Sequence, residues 1–214
     1  MVAASGTIRT CLFDMGNVLV HFCHERMCRQ MGALCGRTGE EIRRLVLESG
    51  VQWDFERGRH TEDEFHRAFQ QAVQQTIPLE QLRHAASDIF TLNEPIVPLL
   101  DALKGRGIRL VLLSNTSAFH FEFVQRRWDV LQRFDDFVVS YKVGAIKPEP
   151  AIFEAALRAI HCRPHECFYT DDIPAYVEMA RRFGLQAEIF TDVPALRAQL
   201  AERGILLDEN RVTV

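Results

Sequence analysis

The chain has 214 residues, enough for one sizeable core or a core with a modest insertion. Hydrophobic residues make up 47% and charged residues 25%, a soluble globular balance. The formal net charge of −4 argues against a nucleic-acid or anionic-membrane partner, because both need a basic field.

The first element is "IRTCLFDM", a buried strand that climbs to Asp14 and breaks into Met15-Gly16-Asn17. Residues 24–92 then show no convincing strand. Thr38 is a plausible N-cap for "TGEEIRRLVLESG", and Thr61 with Glu64 forms a capping box ahead of "TEDEFHRAFQQAV". A second strand is "IRLVLLSN", a third surrounds 137–139, a fourth is "CFYTDD" and a fifth is "LQAEIF". Helical patterns over 94–105, 118–128, 149–160, 174–183 and 194–203 alternate with them. Such alternation implies a doubly wound parallel α/β sheet, a Rossmann-like core. The domain division is a core of residues 1–22 and 93–214 with an inserted all-helical cap at 23–92. A helical insertion after the first strand lies above the strands' carboxyl ends, where open α/β sheets bind ligands.

No apolar run reaches membrane-spanning length, and "MVAASGTIRT" lacks the apolar stretch of a signal peptide. The six cysteines show no CxxC pair and no zinc-ligand spacing, which is the pattern of reduced thiols in a cytoplasmic protein.

Four features fall at or just beyond the carboxyl ends of the expected strands: Asp14, Ser114-Asn115-Thr116, Lys147 in "GAIKPEP", and Asp171-Asp172 in "YTDDIP". Each alone has a structural explanation as a helix cap, a turn residue or a solvated loop charge. One parallel sheet brings all four to a single rim, with a nucleophile, an anion cradle, a cation and acids for a metal. Hard carboxylate oxygens suit Mg²⁺, and phosphoryl transfer needs positioning and charge neutralisation, which this set supplies.

With "FDMGNVLV", "VLLSNT", "GAIKPEPAIF" and "YTDDIPAYVEMA" in this order, and "FERGRHTEDEF" in the insertion, the chain resembles the haloacid dehalogenase superfamily of hydrolases. It is most similar to the branch with a helical cap, and within that to FDxGNV sugar-phosphate phosphatases such as α-D-glucose-1-phosphate phosphatases. The resemblance implies a Mg²⁺-dependent phosphatase of small phosphorylated metabolites. It makes Asp14 the nucleophile of an aspartyl-phosphate intermediate. Ser114 and the Asn115 amide bind the phosphoryl group, and Lys147 neutralises charge. Asp14, the Gly16 carbonyl and Asp172 ligate the metal, with Asp171 behind them.

Two positions depart from the family pattern. Gly16 stands where the superfamily commonly has a second aspartate, its general acid/base, although the FDxGNV branch shares that absence. Tyr176 stands where an asparagine or aspartate often follows the metal-ligating aspartate. Two alternatives stay open: a 2-haloacid dehalogenase, and a catalytically weak ligand-binding or regulatory protein. His21 or Glu25 offers a substitute acid. Substrate choice is expected of the cap. His21, Phe22 and His24 follow the first strand and are candidates to line the cap entrance, Glu56 and Arg57 lie in the insertion, and His120 lies near the expected rim, with a structural role for His21 and His120 equally open. Trp53, Phe55 and Phe65 read as cap core. The sequence leaves the substrate and the oligomeric state open.

Overall fold

The computed structural model describes residues 7–207, so the outermost residues of the expected core, 1–6 and 208–214, lie outside the described part. The chain opens with β1 (Thr10–Phe13), every residue of which is buried, and β2 (Val20–Phe22). The insertion follows: α1 (His24–Cys35), α2 (Gly39–Ile42) continued by a π-helical turn (Arg43–Glu48), α3 (Val51–Glu56), α4 (Glu62–Val73) and α5 (Leu79–Ser87). The chain returns through β3 (Phe90–Leu92), then α6 (Ile96–Gly105), β4 (Arg109–Ser114), α7 (Ala118–Arg127), β5 (Asp136–Val139) and α8 (Ser140–Val143). It ends with α9 (Pro150–Ala159), β6 (Cys167–Asp171), α10 (Pro174–Arg182), β7 (Gln186–Ile189) and α11 (Val193–Ala201).

The five expected core strands form one parallel sheet in the order β5-β4-β1-β6-β7. Inward and outward apolar side chains fill both faces. Leu12, Val111, Leu113 and Tyr169 pack with α9 and α10 on one side; Phe13, Leu110 and Leu112 join α6, α7 and α11 on the other. This two-sided burial is why the strands read as continuous apolar runs. The chain builds outward from β1 to β4 and β5, then crosses back to β6. The order therefore reverses between β1 and β6, where such sheets open a crevice at their carboxyl ends.

The insert obeys its capping signals. Thr38–Glu41 and Thr61–Glu64 both close capping boxes. It shares the core's apolar cluster: Phe55 stacks on Phe65 with ring centroids 4.5 Å apart, and Phe119 of α7 meets Phe55 edge-on at 5.0 Å. One expectation fails. The stretch 24–92 is not all helical, because β3 pairs antiparallel with β2 as a two-stranded ribbon at the root of the insert. Three residues per strand are too few for a period-two pattern to show in the sequence.

Candidate functional site

Asp14, Asn115, Thr116, Lys147 and Asp172 converge on a cavity of about 200 Å³ at the carboxyl end of the sheet, between core and insert. Asp14 follows β1, Asn115 and Thr116 follow β4, and Asp172 follows β6; Lys147 comes from the loop before α9. Gly16 and Asn17 turn the chain back, and Asn17 takes the left-handed conformation that asparagine tolerates, with φ of 55°. Its side-chain amide donates to Asp172 Oδ2 at 2.9 Å, tying the turn after β1 to the end of β6.

Lys147 is the hub. Its Nζ lies 2.8 Å from Asp14 Oδ1 and 2.6 Å from Asp171 Oδ2, and donates to Leu113 O at 3.0 Å, so its three donors are satisfied. Burial disfavours the ammonium, yet Asp14 and Asp171 outweigh that and raise its pKa, keeping it charged. Burial raises the Asp14 pKa, with Lys147 acting in the opposite direction. The backbone of Lys147 is stapled to motif two: its N–H donates to Asn115 Oδ1 at 2.7 Å and its carbonyl accepts from Asn115 Nδ2 at 3.1 Å. Asn115 thus spends its side chain on positioning the lysine.

Asp171 is fully buried, held by Lys147, by the Tyr169 hydroxyl and by the Ile173 N–H at 2.8 Å. Asp172 is half-buried and lines the cavity. One carboxylate oxygen each from Asp14, Asp171 and Asp172 lie within 4.8 Å of one another. A compact, all-oxygen, anionic set with open cavity beside it fits a hard divalent cation that keeps waters or substrate oxygens as its other ligands.

The structure sorts the remaining expectations. Ser114 ends β4 buried, its hydroxyl 3.4 Å from the Asn115 carbonyl, and does not line the cavity. His21 is exposed on the ribbon, opposite Thr91, whereas Phe22 and His24 line the cavity. His120 lines it too, with Nε2 donating to the Ala86 carbonyl at 3.2 Å; burial first, then His24, pushes its pKa down to about 4, so the ring is neutral. Phe55 and Phe65 are cap core as expected, but Trp53 is not: it is 40% exposed and forms part of the cavity wall. Its position on the α3 turn facing the mouth decides this, and helical spacing in so short an element could not. Tyr176 brings no carboxylate; its hydroxyl accepts from Asn115 Nδ2 at 3.4 Å.

A model of the haloacid dehalogenase-like hydrolases matches residues 8–184, which span every one of these site residues. The chain belongs to the haloacid dehalogenase-like hydrolase family. Among its relatives, a D-ribitol-5-phosphate phosphatase of Bacteroides thetaiotaomicron is 24% identical over 187 residues, 84% of this chain and 90% of that protein. A family hydrolase from Porphyromonas gingivalis is 26% identical with a TM-score of 0.79, covering 91% of this chain and 98% of the other. A Bacteroides thetaiotaomicron family enzyme solved with magnesium and inorganic phosphate shares the fold at 23% identity and a TM-score of 0.78, covering 86% and 95%. Among the described residues, no helix of this family member is long and apolar enough to cross a membrane. All six cysteines are unpaired.

Proposed function

We propose that this hydrolase is a Mg²⁺-dependent phosphatase of small phosphorylated metabolites, with a phosphorylated sugar or sugar alcohol as substrate. The observation that carries the reading is Lys147 bridging Asp14 and Asp171 beside Asp172, at the floor of a small cavity. A carboxylate, a buried ammonium and further acids at one point favour a phosphoryl group over a neutral carbon centre. The ribitol-phosphate phosphatase and the magnesium-phosphate complex among its relatives support the same chemistry.

In this reading Asp14, the Gly16 carbonyl and Asp172 hold the cation, with Asp171 behind them fixing Lys147. The bound cation supplies positive charge against the phosphoryl oxygens. Asp14 attacks phosphorus and carries the phosphoryl group, which splits one difficult displacement into two. Lys147 offsets charge on Asp14 and the phosphate. Ser114 and the Asn115 amide receive the phosphoryl oxygens once substrate opens the Ser114 contact. Residues 23–92 act as the cap, and Phe22, His24 and Trp53 on its side of the cavity select the rest of the substrate. Near Trp53 and Phe22 the His24 ring lies at 6.4 Å and 5.0 Å between centroids, an aromatic wall suited to a sugar or polyol chain.

The test is phosphate release from a panel that includes D-ribitol 5-phosphate and α-D-glucose 1-phosphate, with Mg²⁺ and with chelator. Mg²⁺-stimulated release is expected. Chloride release from 2-haloacids without phosphate release would replace this reading by a dehalogenase, and no turnover of either class would leave a binding protein on the same scaffold.

A further inference from the structure

Position 16 lacks a carboxylate, and its space is taken. A Cβ built on Gly16 would lie 2.9 Å from Phe22 Cε1. The loop after β1 therefore offers no acid beside Asp14. Apart from Asp14 and Asp172, one carboxyl group among the described residues lines the cavity, and it comes from the insert: Glu56, the last residue of α3.

Glu56 is held where it is. The Ser140 hydroxyl lies 2.6 Å from the Glu56 carbonyl and accepts from the Thr116 N–H at 2.9 Å, so a single hydroxyl separates the end of α3 from the loop after β4. The next residue, Arg57, pairs with Glu149 of the lysine-bearing loop. At Gly58, whose φ is +71°, a Cβ would stand 2.1 Å from the Tyr141 carbonyl oxygen, so the backbones touch there. Three consecutive residues thus pin α3 to the core.

The Glu56 side chain is buried, accepts from Gln52 Nε2 at 3.0 Å and makes no ion pair among the described residues. Burial pushes its pKa up to about 7, against a smaller lowering by Gln52. Such a group holds a proton near neutrality and can give it up and take it back, as an acid/base requires. The titratable and charged groups sharing its cavity are His24 from α1, His120 from α7, Tyr176 from α10, Lys147, Asp14 and Asp172. His120 already donates to Ala86, and Lys147 is committed to the floor, so neither competes for the proton.

We propose that Glu56 is the general acid and base of this site, in place of the carboxylate that position 16 lacks. The proposal rests on the phosphatase reading. In the first step an Asp14 oxygen bonds to phosphorus, the ester P–O bond breaks, and the Glu56 proton passes to the leaving oxygen. In the second, the Glu56 carboxylate takes a proton from water as the water oxygen bonds to phosphorus. The Asp14–phosphorus bond breaks, and Asp14 and inorganic phosphate are released.

The experiment compares wild type with Glu56→Gln, which keeps the volume, at saturating Mg²⁺. The substrates are p-nitrophenyl phosphate and an alkyl ester: D-ribitol 5-phosphate, or whichever alkyl phosphate of the panel turns over fastest. Rapid quench separates the two steps. A nitrophenolate leaves without a proton and an alkoxide does not. The variant should release one equivalent of nitrophenol at a rate within about 10-fold of wild type, then stall as aspartyl-phosphate, while cleavage of the alkyl ester falls ~10²–10⁴-fold. Equal losses in the first step for both esters, a raised KM with unchanged kcat, or no change at all overturns the assignment alone. If Glu56→Gln does not fold, wild type decides. Its alkyl-ester rate should fall above a pKa near 7 while the nitrophenol burst does not, and identical profiles overturn the assignment. Absence of phosphate release from any ester by wild type overturns the phosphatase reading and this assignment together.

Discussion

Lys147 Nζ lies 2.8 Å from Asp14 Oδ1 although the lysine side chain is 1% exposed. A buried ammonium is costly unless paired, and here the second partner, Asp171, has no exposure at all. The three charges are stable only as a set. This set also orders the site: remove one member and the other two must move, take up a proton or admit water.

Lys147→Met keeps the length of the side chain and deletes its charge. Asp14 and Asp171 then face each other uncompensated, and the variant should lose about 3–5 kcal/mol of stability. Urea denaturation in chelator measures this. Added Mg²⁺ should restore part of the loss, because a cation at the three aspartates replaces the missing charge. A loss below about 1 kcal/mol would mean that the carboxylates are neutralised by protons and that Lys147 is not the hub.

Asp172 lines the cavity and, among the described residues, its side chain is tethered only by Asn17. Its removal should weaken Mg²⁺ binding with little effect on the fold. A ligand at about 100 times its Kd stabilises by about 2.7 kcal/mol, so wild type should show a rise in Tm with Mg²⁺. Asp172→Ala should show little or none at the same concentration. An equal rise in both proteins would place the cation elsewhere.

The aspartates of the Lys147 cluster were legible in the sequence because each ends a strand or opens the loop after one, and a parallel sheet fixes which ends meet. Lys147 itself sits beyond α8, in the loop before α9, and was singled out by its motif. Asp14, Asp171 and Asp172 meet as β1 and β6 are neighbours in the sheet. Three features were not legible, for different reasons. The Phe22 ring fills the space over Gly16 through a turn whose path no local pattern sets. Glu56 was a candidate for substrate choice as a residue of the insertion, but its burial against the core was not legible, because that needs Ser140 and Gly58 to dock α3, contacts between segments far apart in the chain. The β2–β3 ribbon is too short for its pairing to leave a periodic trace.

Ser140 joins insert and core through one buried hydroxyl. Ser140→Ala leaves the Thr116 N–H without its partner and frees the Glu56 carbonyl. An unsatisfied buried group costs about 1–3 kcal/mol, so thermal stability should fall by that amount. Hydrogen exchange should rise at Thr116 and at the end of α3 before it rises in the sheet. Uniform deprotection across the chain would show that the hydroxyl stabilises the whole core and does not act as a local tether.

His120 gives stability a sign-specific pH dependence. Its pKa falls to about 4 in the folded chain, chiefly through burial, from the ordinary 6.5. Between those values the unfolded chain binds the proton and the folded chain does not. The contribution is therefore fully present above pH 6.5 and is lost as pH falls through 4. His120→Gln keeps a donor for the Ala86 carbonyl and cannot titrate. Glu56, whose raised pKa tilts stability the other way, is common to both proteins and cancels in their difference. The stability of wild type minus that of the variant should therefore decline on acidification by up to about 1.4 kcal/mol per pH unit inside that window and stay flat above it. Urea denaturation of both proteins from pH 4.5 to 8 measures the difference. A flat difference across the whole range would mean that the imidazole takes up its proton in place, with water reaching it through the cavity mouth.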